Sequence, residues 1–262
     1  MGAVVRSIIS ALTAVGGGAP LVDEVLVVDD GSTDGTAEVA QRAGAVVLGE
    51  PGAASQPNRP DAAPGTFDPD APTARSGFGG KGQAMWVGLE ACKGDLVAFV
   101  DADVTTFGPH FVTGLFGPLL LDGTTRLVKG FYERPLHDAP TGGGRVTELM
   151  ARPIIELLFP DLAGIIQPLA GETAAPRGVL EACGLADGYS VELAVLIDVA
   201  ARFGADTIAQ VDLGVRAHRN RPLSELRPQA TAILRTALAR AHVIPADPAP
   251  ADPAPAGTPV SQ

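Results

Sequence analysis

The stretch "DLVAFVDADVT", residues 95–105, sets an unbroken apolar run against a pair of acids. Leu96 to Val100 are apolar at every position, so both faces of the strand they form must be covered, as in a strand central to a parallel sheet. Asp101 and Asp103 follow at its carboxyl end with only Ala102 between them, where open α/β sheets bind ligands. Two carboxylates so placed suit magnesium or manganese held together with substrate phosphates. An Asx-turn capping the next segment is the alternative, and the tripeptide alone leaves both readings open. A second such tripeptide, Asp68-Pro-Asp70, lies in Pro- and Gly-rich sequence, where a solvated turn explains it fully.

On either side of this strand the chain alternates. "DEVLVVDDGSTDGT" predicts a strand over Glu24–Val28, a polar turn, and a helix capped by Ser32 or Thr33. "AGAVVLGE" predicts a second strand, and "GGKGQAMWVGLEACKG" a helix feeding the strand at 95–103. Beyond it come a helix near Pro109–Leu120, the strand "RLVKGFYE", a Gly-rich loop "HDAPTGGG" and the helix "RVTELMARPIIELL". The helix "YSVELAVLIDVAARFG", the strand "DTIAQVDLGVRAH" and a last helix to about Val243 complete the pattern. Such alternation predicts an α/β fold, a mostly parallel central sheet with helices on both faces. Residues 1–244 read as one catalytic domain, with a nucleotide-binding half to residue 104 and an acceptor-binding half over 105–244. The stretch 51–79 reads as a flexible insertion and 245–262 as a Pro/Ala tail that cannot pack.

Composition narrows the function. Against 19 basic residues stand 30 acidic ones, a formal net charge of −11, which excludes a broad nucleic-acid surface. Two distant cysteines supply neither a disulfide framework nor a zinc site and fit a reducing cytoplasm. No apolar run reaches the ~18 residues of a membrane span. The opening residues read as an amphipathic helix, with Val5, Ile8, Ile9 and Leu12 on one face, in preference to a signal peptide.

Four further clusters carry chemistry. Asp30, in the pair that ends the first strand, is placed to accept hydrogen bonds from a ribose or base, although a capping turn explains it too. A phospho-acceptor receiver domain also ends its strands in such acids, but it is far shorter and leaves the second half unexplained. "GGRVTEL" puts Gly143 and Gly144 before a helix opening with Arg145 and Thr147, an anion site in the making or a plain glycine turn. "VRAHRNRPL" gathers Arg216, His218, Arg219, Asn220 and Arg221 within an acidic protein; a histidine there can join Asp103 on a divalent ion, or be a solvated surface group. Tyr189 and Glu192 open the helix of "DGYSVELAVL", where Glu192 is either a capping partner or a ligand for sugar hydroxyls.

Taken in order, "VVDDGSTD", "GGKGQAMW", "FVDADV", "TGGGRVTEL", "RPII", "GYSVEL" and "IAQVDLGVRAHRNRPL" resemble the glucosyl-3-phosphoglycerate synthases, retaining GT-A-type glycosyltransferases of actinobacteria. The likeness runs from about residue 3 to about residue 243, and its second half is the specific part. It implies the GT-A nucleotide-diphospho-sugar transferase fold and transfer of glucose from UDP-glucose to the 2-hydroxyl of 3-phosphoglycerate, with Mg2+ or Mn2+, in a cytoplasmic homodimer. Carried over residue by residue, Asp30 and Lys81 hold the uridine diphosphate, and Asp101 with Ala102 lines the nucleotide near its ribose. Asp103 and His218 bind the metal. Gly144, Arg145, Val146 and Thr147 cradle phosphoglycerate with Asn220, while Tyr189 to Glu192 and Arg216 to Arg221 face the sugar nucleotide. Glu192, Arg145 and Asn220 are the candidate catalytic residues.

The family's opening strand and loop, of the type "VVLPALNEE", would precede the helix with which this sequence opens; either the true start lies upstream or this form is impaired. Ala102 stands where the family often has Ser. The runner-up activities are a related transferase using GDP-mannose or another acceptor, and a truncated paralogue that binds ligand without turnover.

Overall fold

The chain is described from a computed structural model that covers residues 5–6, 22–32, 34–49, 80–102, 104, 107–133, 135–136, 139–142, 144–215 and 223–244. The expected insertion at 51–79, the tail at 245–262, most of the first helix and the cap candidate Thr33 lie outside the described residues.

Strands β1 (Leu26–Val28) and β2 (Val46–Leu48) pair in parallel, with helix α1 (Thr36–Arg42) between them in the chain. Its Ala40 packs with Val27, Ala45 and Val5. The helix starts later than Ser32 because Gly35, in the left-handed region at φ 72°, takes the cap position. Asp34 accepts both the amide (3.2 Å) and the hydroxyl (2.6 Å) of Thr36 and so closes the turn ahead of it.

Helix α2 (Lys81–Ala91) leads to β3 (Leu96–Phe99), and α3 (Pro109–Leu121) starts with its proline in the first turn, where no N–H is needed. Next come β4 (Leu127–Glu133) and a small hairpin, β5 (Pro135–Leu136) with β6 (Ala139–Gly142), where a Gly-rich loop was expected. A π-turn at Thr147–Ala151 opens helix α4 (Arg152–Leu158). Strand β7 (Thr173–Pro176) and helix α5 (Arg177–Cys183) follow, then α6 (Val191–Phe203), β8 (Ile208–Val215) and α7 (Leu223–Arg240).

The α/β class expected from the alternation holds, and the larger sheet is mixed. Its order is β3-β7-β4-β8, with β4 and β8 parallel and β7 antiparallel to both its neighbours. The sequence reading placed no strand at β7, because Thr-Ala-Ala-Pro has almost none of the β-branched and aromatic residues that signal one. Its middle position in the sheet explains the composition: Ala174 and Ala175 are buried between neighbours on both sides, and Pro176, which cannot donate to a ladder, closes the strand.

Helix α6 is the centre of the molecule. Every residue from Val191 to Val199 is buried, and its apolar side chains pack with Met85 and Leu89 of α2, Val179 and Leu180 of α5, and Ile233 and Ala237 of α7. Two acids lie within that buried run, Glu192 and Asp198, about 120° apart around the helix. Each is answered by a cation. Asp198 takes a two-pronged pair from Arg240, both contacts at 2.8 Å, which ties α7 to α6. Glu192 points the other way, to the site.

Candidate functional site

The first turn of α2 is built of glycines. Gly80 caps it at φ 102°, and a side-chain carbon there would approach Gly188 to 3.4 Å. At Gly82 a Cβ would stand 1.8 Å from the carbonyl oxygen of Ala186. The backbone of Ala186–Gly188 therefore lies directly on this turn, and the short 3-10 turn Gly188–Ser190 leads from it straight into α6. Ser190 locks the turn by donating its hydroxyl to the Asp187 carbonyl at 2.7 Å. Burial pushes the Asp187 carboxyl up to about 6.

This contact sets Lys81 between two acids. Its ammonium lies 2.6 Å from Asp101 Oδ1, just past the end of β3, and 2.6 Å from Glu192 Oε1 in the first turn of α6. Burial pulls its pKa down, but the Glu192 and Asp101 carboxylates outweigh burial and hold it above the ordinary lysine value. Lys81 is a permanent cation at this edge of the sheet. Gly171 makes room for the cluster: a Cβ there would stand 2.6 Å from both Asp101 carboxylate oxygens and from the lysine nitrogen.

Below them lies a second buried lysine. Lys129, in the middle of β4, is 2% exposed and donates to the carbonyl of Ala170 at 2.6 Å. Burial, with the like charge of Lys81 adding to it, pushes its ammonium down to about 8, while the Glu192, Glu172 and Asp101 carboxylates act against that fall. Glu172, next in the chain after Gly171, is fully buried.

Among the predicted site residues, Lys81, Asp101 and Glu192 come together here. Ala102 continues the turn after Asp101, and Tyr189 stands exposed one turn before Glu192. Asp30 is exposed at the end of β1, while its neighbour Asp29 is buried and accepts the Ser32 amide at 2.9 Å. Gly144, at φ 78°, starts the helix that holds Arg145, Val146 and buried Thr147; its carbonyl accepts the Glu148 amide at 3.1 Å. Gly143, Asp103, Arg216, His218, Arg219, Asn220 and Arg221 lie outside the described residues, although β8 ends at Val215, immediately before the basic run. Among the described residues no three metal-capable side chains cluster, and no helix is long and apolar enough to cross a membrane.

Sequence reasoning passed over Lys129, Glu172 and the two glycines Gly82 and Gly171. For Lys129 a signal was present: a lone charge inside "RLVKGFYE", a strand otherwise apolar in its middle, is either an exposed edge position or a buried ion with a purpose.

No protein-family model matches the chain. A glucosyl-3-phosphoglycerate synthase of Mycobacterium tuberculosis is 44% identical over 245 residues, 90% of this chain and 69% of that protein. The protein of the same name from Mycolicibacterium paratuberculosis is 47% identical over 227 residues, covering 84% of this chain and 63% of its own length. This chain thus spans about two thirds of the curated relatives it matches. A crystal structure of the M. tuberculosis enzyme with Mn2+, UDP-glucose and phosphoglyceric acid superposes with a TM-score of 0.73 at 41% identity, over 92% of this chain and 76% of that one. Another, holding Mn2+, UDP and glucosyl-3-phosphoglycerate, matches equally well, with a TM-score of 0.73.

Proposed function

The chain belongs to the glucosyl-3-phosphoglycerate synthase family, and we propose that it transfers glucose from UDP-glucose to the 2-hydroxyl of 3-phosphoglycerate with retention at the sugar. The observation that carries the proposal is the Lys81 bridge between Asp101 and Glu192, which gathers a cation and two acids at the carboxyl end of a buried strand. Relatives crystallised with UDP-glucose, phosphoglyceric acid and Mn2+ support the choice of substrates and ion.

In this reading Lys81 turns part of its charge to the diphosphate, with Asp30 beside it, and Asp101 with Ala102 lines the ribose. Glu192 and Tyr189 take the sugar. The anion-binding helix start at Gly144–Thr147 takes the acceptor's phosphate and carboxylate through backbone N–H groups and the Arg145 guanidinium, with Asn220 alongside. The run Arg216–Arg221 closes on the sugar nucleotide. Glu192, Arg145 and Asn220 act nearest the reacting groups. A carboxylate and an imidazole form a donor set suited to Mg2+ or Mn2+, so Asp103 and His218 would hold the ion, which when bound offsets the charge on the departing diphosphate. Stabilising that charge with groups already in place is the main catalytic contribution.

The test is direct. Full-length protein with UDP-glucose, 3-phosphoglycerate and Mn2+ releases UDP and glucosyl-3-phosphoglycerate, and EDTA stops the release. Preference for GDP-mannose, or tight binding of UDP-glucose with no product, overturns the assignment in favour of a related transferase or a non-catalytic relative.

We further take residues 1–244 as one catalytic unit, since one apolar cluster runs from α2 through α6 to α7 and Val28 of β1 lies against Gly88 of α2. A cytoplasmic setting accords with Cys92 and Cys183 being free thiols. A homodimer accords with two largely exposed leucines about two turns apart, Leu149 before α4 and Leu157 near its end, 78% and 77% exposed, since exposed apolar side chains of this size can mark contact sites. Light scattering behind size exclusion is expected to give twice the chain mass, and Leu149→Glu/Leu157→Glu to give a monomer. A monomeric wild type refutes the dimer.

A further inference from the structure

Helix α4 cannot start as an ordinary helix. Pro153 has no N–H to give the Leu149 carbonyl, and its ring crowds that oxygen, so a regular α-turn does not pass through it. The chain widens instead to the π-turn Thr147–Ala151, in which the Arg152 N–H reaches back to the Thr147 carbonyl. The wider turn also suits the side chains. Val146, Met150 and Ile154 pack against the main core while Thr147, Ala151 and Ile155 are buried, two rows at intervals of four that would drift by about 40° per step along a plain α-helix. The π-turn follows directly on Gly144–Thr147, the proposed cradle for the acceptor, and it lacks the regular bonding that would hold it.

We propose that Arg152 is a positioning residue for the acceptor, a brace that fixes the π-turn and the Gly144–Thr147 cradle to the loop leading to the donor cluster. The inference rests on the glucosyltransferase reading given above. Arg152 donates from Nη2 to the Ile166 carbonyl at 2.7 Å and from Nε to Glu148 Oε1 at 3.1 Å. Glu148 in turn donates its backbone N–H to the Gly144 carbonyl at 3.1 Å, so the hold reaches the first residue of the cradle. The far end of the brace is firm. Gln210 of β8 accepts the Ile166 N–H at 2.7 Å and donates to the Gly164 carbonyl at 3.0 Å. Gln167 accepts the Tyr132 N–H of β4 at 3.4 Å and donates to the Tyr132 carbonyl. Two side-chain amides thus do for this loop what a neighbouring strand would do, and the loop runs on to Gly171, against Asp101 and Lys81. An exposed Arg–Glu pair four residues apart is weak by itself; the second contact, to an anchored carbonyl, is what makes Arg152 a brace.

The experiment is steady-state kinetics on the full chain with Mn2+, varying 3-phosphoglycerate and UDP-glucose separately, with thermal denaturation to report folding. Arg152→Met is expected to raise KM for 3-phosphoglycerate about fivefold and to leave kcat and KM for UDP-glucose within about twofold of wild type. Fivefold corresponds to about 1 kcal/mol. Glu148→Ala is expected to show the same split, and the double variant to be no worse than Arg152→Met, because both substitutions cut one connection. A normal acceptor KM in either single variant overturns the proposal. Equal rises in both KM values overturn it as well, as do additive losses in the double variant or an Arg152→Met chain that fails to fold, each of which reduces Arg152 to a structural contact. A wild type that does not turn over this substrate pair refutes the parent reading, and the inference falls with it. An active wild type beside variants that keep its KM values refutes the inference alone.

Discussion

Lys81→Met is expected to lower turnover of UDP-glucose by about 10²- to 10³-fold, the loss seen when one preorganised electrostatic donor is removed from an active site. The physical reason is that one ammonium does two tasks. It lies 2.6 Å from an oxygen of each acid, so those oxygens are at most about 5 Å apart, and without the cation they repel. Glu192, buried on α6, has little water to turn to, and its side chain will move from its place beside Asp101. Breaking a fully buried ion pair costs about 3–5 kcal/mol; with Lys81 and Asp101 each about a quarter exposed, solvent screening reduces this to about 2 kcal/mol. Methionine restores the apolar stem but not the charge. Steady-state kinetics with UDP-glucose and 3-phosphoglycerate checks the first number and thermal denaturation the second. A variant within threefold of wild-type turnover would remove Lys81 from the mechanism.

The elements of this site were unequally legible in the sequence. Asp101 was found because an all-apolar run ending in acids has few structural explanations, and Glu192 because it follows a turn and opens a strongly apolar helix. Their union through Lys81 was not legible from spacing, since α2 and α6 come from opposite halves of the chain and only the family resemblance drew them together. Strand β7 escaped notice because burial between two strands selects alanines, which carry no strand signal of their own. Lys129 escaped because a period-two reading of "RLVKGFYE" registers hydrophobicity, and a charge within it reads as noise until the Ala170 carbonyl is seen to receive it. In each case the missing information was a long-range contact.

Gly82→Ala is expected to destabilise the protein by about 3 kcal/mol, at the upper end of what overpacking costs, although helix propensity alone predicts a gain of about 1 kcal/mol at an interior helix position. The conflict between the two effects is resolved by distance. A Cβ at Gly82 would lie 1.8 Å from the Ala186 carbonyl oxygen, 2.9 Å from its carbon and 3.0 Å from Asp187 Cα. All three are backbone atoms, so no side chain can rotate to give way and the whole Ala186–Gly188 segment must lift. That segment runs through the 3-10 turn into Glu192, so lifting it also draws Glu192 from Lys81. Gly178 supplies the control: it is likewise the second residue of its helix, α5, but nothing lies within 4 Å of a Cβ added there. Gly178→Ala should therefore be neutral or slightly stabilising, whereas Gly82→Ala should lower Tm by about 6–12 °C, at the roughly 2–4 °C per kcal/mol typical of a domain this size. It should weaken UDP-glucose binding as well. Equal melting temperatures for the two variants would mean that the loop before α6 does not rest on the first turn of α2, and would dissolve the scaffold on which the Lys81–Glu192 contact depends.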